Sequence, residues 1–233
     1  MNANALLINN LSYKYKTGKN VINDLDLTVE NGARVALVGP NGSGKTTLLY
    51  HITGFLNGTG EIMVCGITRS KKNMKEIRKK IGFLFSQVEY QFIMPDLLSD
   101  ILLSVPEKKY NKKERNRQAE LWLQKLGIIH YKNASPLDLS SGEMKRAALA
   151  GVLASEPELL ILDEPLANLD KAGAKQLLDI LSGINTTMII ATHKKYILEK
   201  LATHVAVMQE GRIKTYMPVR DALKLPALHE LLF

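Results

Sequence analysis

Cysteine is almost absent from this chain: Cys65 is the single thiol in 233 residues. One thiol excludes an internal disulfide and fits a reducing compartment. Long apolar runs are absent as well. Wholly apolar runs such as LLIL at 159–162 fall far short of the roughly 18 residues that a membrane span needs. No crossing of a bilayer is expected from this chain by itself. The start, MNANALLINN, has no basic stretch ahead of an apolar run, so no secretory signal is expected. Aromatics are sparse at 6%. The basic runs do not interleave them as a single-strand stacking platform would. No internal repeat, low-complexity segment or long linker is found.

What is present is a mostly ordinary globular composition. The hydrophobic share of 45% supplies a substantial core, and the length suits one domain carrying a lobe. The net charge is +8, much of it in RSKKNMKEIRKK at 69–80 and EKKYNKKERNR at 107–117. Such a balance is compatible with nucleic acid, anionic lipid or nucleotide. The reading favoured here is a solvated lysine-rich surface. Cys65, in VCGIT, is read as a small buried residue at a strand end before a turn.

Several segments read as strands alternating with helices. ARVALVG at 33–39, KIGFLFS at 80–86, LLILDEP at 159–165 and TTMIIATH at 186–193 have the apolar runs of buried strands. TTLLYHITGFL, EMKRAALAGVLASEP up to Pro157, and KAGAKQLLDILSGI read as helices. ALLINNLSYKY and VINDLDLTVENG read as sheet segments at the start, and THVAVMQEGRIKTY as a hairpin around Glu210-Gly211. Alternation of this kind implies an α/β fold with a parallel sheet. The stretch from about 89 to 154 differs. It lacks valine-rich strands, and Ala119, Trp122, Leu123 and Leu126 have helical spacing. It is read as an inserted helical lobe, with Trp122 in the core.

GPNGSGKTT, residues 39–47, satisfies G-x-x-x-x-G-K-[ST] between a strand and a helix. Gly39, Gly42 and Gly44 let the backbone curl so that N–H groups cradle phosphates. Lys45 sets a charge on the β and γ oxygens, and the Thr46 hydroxyl reaches Mg2+. The complete loop is Gly39, Pro40, Asn41, Gly42, Ser43, Gly44, Lys45, Thr46 and Thr47, and it calls for a nucleoside triphosphate. Asp163 and Glu164 end a strand at the edge where open α/β sheets bind ligands. Asp163 is suited to Mg2+, and Glu164 to orienting or deprotonating water. His193 ends the MIIAT strand, where it can donate to a γ-phosphate and fix the carboxylate. LSSGEMKRA at 139–147 opens a helix: Ser140 caps and Glu143 completes a capping box. A helix N-terminus behind such a turn also suits an anion.

The ordered set of motifs resembles the nucleotide-binding subunits of the ATP-binding cassette (ABC) superfamily over nearly the full length. The pieces are SYKY, the phosphate loop, FLFSQ, the helical lobe, LSSGEMKRAALAGVLASEPELLILDEP, LANLD and IIATH. Within it, FLFSQVEYQFIMPDLLSDI and AALAGVLASEPELLILDEPLANLD are most similar to the ATPases of energy-coupling factor importers, which take up vitamins or cobalt and nickel ions. The resemblance implies a P-loop NTPase (RecA-like) core at 1–88 and 155–233, with an N-terminal antiparallel β-subdomain, and a helical subdomain inserted at 89–154.

The resemblance further implies ATP hydrolysis with Lys45, Glu164 and His193 as the catalytic set. Tyr15 would stack on the adenine, with Tyr13 as the rival, and Thr46 and Asp163 would hold Mg2+. Ser140, Ser141, Gly142 and Glu143 would act on the ATP of a second ATPase subunit, identical or different, and Asp170 would lie at that contact. A transmembrane coupling protein would dock on the helical subdomain near Tyr90–Asp100, with a substrate-binding membrane protein reached indirectly. The site of action would be the cytoplasmic face of the membrane, with no nucleic acid expected. The rivals are a soluble ABC ATPase acting on nucleic acid and a regulator that binds without hydrolysing. Relatives often continue past the final hairpin, and after LPALHELLF any extra segment is expected to be short or absent.

Two departures from the family pattern stand out. The usual glutamine slot after the FLF strand holds Ser86, with Gln87 one place later. The signature reads LSSGE in place of LSGGQ, adding a Cβ at Ser141 and a charge at Glu143. A weaker signature half-site is the expectation.

Overall fold

The computed structural model describes residues 4–225. The final stretch PALHELLF, on which the expectation of a short C-terminal segment rests, lies outside the described residues. In chain order the elements are β1 (Asn4–Lys14), β2 (Asn20–Glu30), β3 (Arg34–Val38), α1 (Lys45–Ile52), β4 (Thr59–Val64), β5 (Ile67–Thr68), α2 (Met74–Lys80), β6 (Ile81–Leu84), α3 (Leu97–Ser104) and α4 (Lys112–Lys125). They continue with α5 (Ser141–Ala154), β7 (Leu159–Asp163), α6 (Lys171–Ser182), β8 (Thr187–Ala191), α7 (Lys195–Lys200), β9 (His204–Gln209), β10 (Arg212–Pro218) and α8 (Val219–Ala222). The described residues divide into two compact units, one of residues 4–81, 158–164 and 185–225, the other of 82–157 and 165–184.

The first unit holds two sheets. One is antiparallel, in the order β2-β1-β4-β5. Its strands alternate, so that Leu25, Leu27 and Val29 of β2 are buried while Asp26, Thr28 and Glu30 are exposed, as a sheet with one wet face requires. The other carries β10-β9-β3-β8-β7, with β3 parallel to β8 and β9, β7 parallel to β8, and β10 antiparallel to β9. Here β7 and β8 are buried at every position, which is why they read as continuous apolar runs. Register then sets the site. Asp163 pairs with Ala191, so the chain leaves β7 and β8 side by side, with the loop after β3 next along the sheet.

In the second unit α3, α4 and α5 pack on one another. α4 buries Ala119 and Leu123 and is followed by buried Leu126. Trp122 departs from the expected core position: it is half-buried, with the Lys125 ammonium 4.4 Å from its ring centre. A cation over a partly exposed ring is a favourable contact. α6, which sequence reading leaves in the nucleotide-binding core, clusters with this unit. Among the described residues no helix is long and apolar enough to cross a membrane.

Candidate functional site

The loop from Gly39 to Gly44 owes its path to residues without a Cβ. Gly39 has φ +150°, and a Cβ there would lie 2.0 Å from the Met208 carbonyl oxygen. Gly44 has φ +107°, and a Cβ would lie 2.9 Å from the Val21 carbonyl oxygen. Any side chain at either position would displace backbone, so the turn into α1 requires glycine. α1 therefore starts at Lys45 without a side-chain cap, and a helix N-terminus not taken by a cap is what an anion site needs.

Lys45 folds back over this loop and donates to the carbonyl oxygens of Gly39 at 2.7 Å and Pro40 at 3.1 Å. Burial lowers its pKa below the usual lysine value, opposed by the charges of Glu164 and Asp163. The next residue turns to the sheet edge: the Thr46 hydroxyl donates to Asp163 Oδ2 at 3.0 Å. A hydroxyl and a carboxylate so placed are the hard oxygen donors that Mg2+ accepts beside substrate phosphates, so the residues present fit that ion.

Glu164 follows on unusual backbone. Its φ is +47°, in the left-handed region that costs a residue with a Cβ about 1 kcal/mol or more. Its N–H donates to the Ala191 carbonyl at 2.9 Å, tying this strained residue to β8. On the same side His193 Nδ1 meets Glu164 Oε1 at 2.9 Å. Against a carboxylate, Nδ1 is the donor.

Aromatic residues close the other side. The Tyr15 hydroxyl hydrogen-bonds Thr47 Oγ1 at 3.3 Å. Tyr13 packs edge-on against Tyr15 at 4.9 Å and against His51 at 4.6 Å. Tyr15 lines a cavity of about 340 Å³ together with Lys19, Asn41, Lys45, Asp163 and Glu164. Tyr13 is not among its walls. The cavity is cationic at the loop, at Lys45, and acidic at the strand edge, at Asp163 and Glu164, which suits a metal-bound polyphosphate.

The structure thus brings Tyr15, the loop of residues 39–47, Asp163, Glu164 and His193 into one unit. Ser86, Gln87, the signature residues and Asp170 belong to the other. There Ser86 and Gln87 are exposed, and it is Gln91 whose amide caps the strand end, accepting from Phe85 N at 3.3 Å and donating to the Phe83 carbonyl at 3.2 Å. Ser140 caps α5 with Glu143 in a complete capping box. The Ser141 hydroxyl donates to the Asn168 carbonyl at 3.4 Å, and the buried Lys145 ammonium donates to the Ala167 carbonyl at 3.0 Å. Asp170 caps α6, accepting from Gly173 N at 2.8 Å.

Sequence reading missed the contacts that Gln91 and Lys145 make. Lys145 lies beside Arg146 just ahead of the apolar run AALAGVLA, and a cation at the head of such a run was the one signal available.

A family model described as ABC transporter matches residues 22–167. The chain is 36% identical over 220 residues to a putative ABC transporter ATP-binding protein of Streptomyces coelicolor, covering 94% of this chain and 85% of that protein. It is 38% identical over 221 residues to the energy-coupling factor transporter ATP-binding protein EcfA2 of Clostridium tetani, covering 89% of this chain and 77% of that one. A solved structure of CbiO1 from Clostridium perfringens, described as part of the ABC transporter complex CbiONQ, superposes with a TM-score of 0.81 at 29% identity, over 97% of this chain and 98% of that chain. By the match over residues 22–167 and these identities, the chain belongs to the ABC transporter family and is one of its ATP-hydrolysing subunits.

Proposed function

We propose that this chain is the motor subunit of an importer of the energy-coupling factor type, taking up a metal ion or a vitamin. The observation that carries the reading is the continuous set Lys45, Thr46–Asp163 and Glu164–His193 along one sheet edge. The similarity to EcfA2 of Clostridium tetani and to CbiO1 of Clostridium perfringens supports the transporter type.

In this reading Tyr15 stacks on the adenine, and the N–H groups of the glycine loop receive the phosphates. The Lys45 ammonium, which now donates to Gly39 and Pro40, transfers its donors to phosphate oxygens. Thr46 and Asp163 would hold Mg2+, which would offset the negative charge of the phosphates. Glu164 orients and deprotonates the attacking water. His193 fixes that carboxylate through Nδ1, and donating to a phosphate oxygen as well requires the imidazolium form, with two N–H donors.

A second ATPase subunit completes each site by presenting its signature, residues corresponding to Ser140–Glu143. The nucleotide then bridges two chains, and hydrolysis removes the bridge. Asp170 lies at that contact. The transmembrane coupling protein docks on the second unit, where Tyr90 and Ile93 are 84% and 80% exposed. The chain acts peripherally at the cytoplasmic face of the membrane.

Glu164→Gln keeps shape and hydrogen bonding to His193 but cannot take a proton. ATP turnover should fall at least about a hundredfold, the scale of lost general-base catalysis. Nucleotide binding, measured by calorimetry, should be retained. Turnover that survives this substitution would remove Glu164 from the mechanism and the motor assignment with it.

A further inference from the structure

His51 is a buried titratable group that the proposed chemistry leaves unused. It lies one turn beyond Thr47 on α1 and is fully buried. Its Nδ1 is 2.7 Å from the Thr47 carbonyl oxygen. A carbonyl only accepts, so Nδ1 carries the proton and Nε2 is the bare nitrogen. Nε2 is buried and meets no hydrogen-bond partner among the described residues. Burial lowers the His51 pKa below the usual histidine value, against the pull of the Thr47 carbonyl and with the help of the Arg69 charge. The ring is therefore mostly neutral at pH 7, with its orientation fixed through Nδ1.

Tyr13 packs against that ring. The two centres are 4.6 Å apart, with planes at 67°. Tyr13 also packs on Tyr15, with centres 4.9 Å apart and planes at 79°. Both contacts are edge-on, an arrangement that aromatic pairs favour. Tyr15 returns to α1 through its hydroxyl, 3.3 Å from Thr47 Oγ1. Thr47, His51, Tyr13 and Tyr15 thus close a circle of contacts. Two of them belong to α1, the helix that the phosphate loop opens. Tyr13 lies on β1 and Tyr15 just past its end. The far side of His51 is occupied too. A Cβ at Gly58 would lie 3.2 Å from Nε2, and the Arg69 guanidinium donates to the His51 carbonyl.

This matters for a nucleotide. Tyr15 is 37% exposed and stands beyond the end of its strand. Ordering an unsupported ring at the moment of binding costs affinity, and a ring already held does not incur that cost. Base and phosphates are parts of one molecule. A ring kept at a set distance from the loop can meet the base while the loop meets the phosphates.

We propose that Tyr13 and His51 are positioning residues that hold the Tyr15 ring at a set distance from the phosphate loop, so that one nucleotide engages both. The inference rests on Tyr15 receiving the adenine and residues 39–47 the phosphates, as set out under the proposed function. It gives Tyr13 a part that wall contact with the cavity does not supply, and it gives the buried histidine a use that involves no proton transfer.

The test is calorimetric binding of ATP and of inorganic tripolyphosphate, which has no base, each with Mg2+, to the full chain. Binding is read well below each variant's melting temperature. In Tyr13→Leu, ATP affinity should fall about threefold to tenfold, the size of a lost aromatic contact, while tripolyphosphate affinity holds within about twofold. Tyr13→Phe keeps the ring and should keep ATP affinity. His51→Leu removes the ring behind Tyr13 and should act as Tyr13→Leu does. In a Tyr15→Leu background, Tyr13→Leu should change ATP affinity less than about twofold, because the pair acts as one unit. A loss shared equally by ATP and tripolyphosphate overturns the proposal. So does ATP affinity unchanged in either Tyr13→Leu or His51→Leu. Tyr15→Leu separates the two levels. If it leaves ATP affinity intact, the adenine reading and the positioning fall together. If it weakens ATP while Tyr13→Leu does not, only the positioning falls.

Discussion

Two residues of the first unit show how burial and backbone set chemistry. Glu164 has its carboxylate on left-handed backbone, strain that the surrounding sheet must hold in place. It is held by the hydrogen bond to Ala191 and by His193, so the carboxylate is aimed before any ligand arrives. Cys65 shows the opposite outcome. It follows β4 in a turn with φ +46°, half-buried beside Glu158 and Lys80. Burial, then the Glu158 charge, pushes its thiol up to about 11. Only the thiolate alkylates, so iodoacetamide at pH 8 should label the folded chain on the order of ten- to a hundredfold more slowly than the unfolded one. The folded state prefers the protonated thiol. Its contribution to stability is whole below the ordinary thiol value of 9.0 and is lost as pH rises towards 11. Melting temperature should therefore decline across that window, and Cys65→Ala should flatten the decline. Equal labelling rates for folded and unfolded chain would contradict the assignment of Cys65 as inert.

At the scale of elements, legibility followed burial. β7 and β8 are apolar at every position because both faces are covered, and the sequence shows it. The β9–β10 hairpin was legible from Glu210-Gly211, whose φ values of +50° and +76° are those that such a two-residue turn needs. α2 was hidden. It lies within the lysine-rich run and buries only Ile77, so its periodicity rests on one side chain. The loop of residues 39–47 was legible because a phosphate cradle needs consecutive special residues. Gln91, which caps the end of β6, was not, because its hydrogen bonds to Phe85 N–H and the Phe83 carbonyl depend on a turn of the chain that no local pattern records. Caps lie between these extremes. Asn111 caps α4 with Glu114, both halves of the box being formed, yet it sits in a run that reads only as charge. Asn111→Ala should cost about 1 kcal/mol. That is a drop of roughly 2–4 °C in melting temperature for a chain of this size. ATP turnover should be unchanged, since α4 supplies nothing to the nucleotide site. A loss of turnover in Asn111→Ala would tie α4 to the chemistry.

At the scale of the whole molecule, the phosphate loop and the signature belong to different compact units of one chain. If each ATP is held by the loop of one chain and the signature of another, the two halves of the function can be broken in separate molecules. Lys45→Ala removes the phosphate-side charge and leaves the signature. Ser140→Ala removes the signature hydroxyl and leaves the loop. Each variant alone should be dead in every paired site. In a mixed pair, one site combines both damaged halves and the other combines both intact halves. Random pairing of equal amounts makes half the pairs mixed, and each carries one working site of two. Activity should then return to about a quarter of the unsubstituted level under closed two-fold pairing. The measurement is ATP turnover of the mixture against each variant by itself at the same total concentration. A mixture as inactive as its parts would mean that two copies of this chain do not share sites, and the second ATPase would have to be a different chain. Partial return well below a quarter would indicate that a single working site is slowed by its dead neighbour, which the ratio of mixed to unsubstituted turnover reads directly.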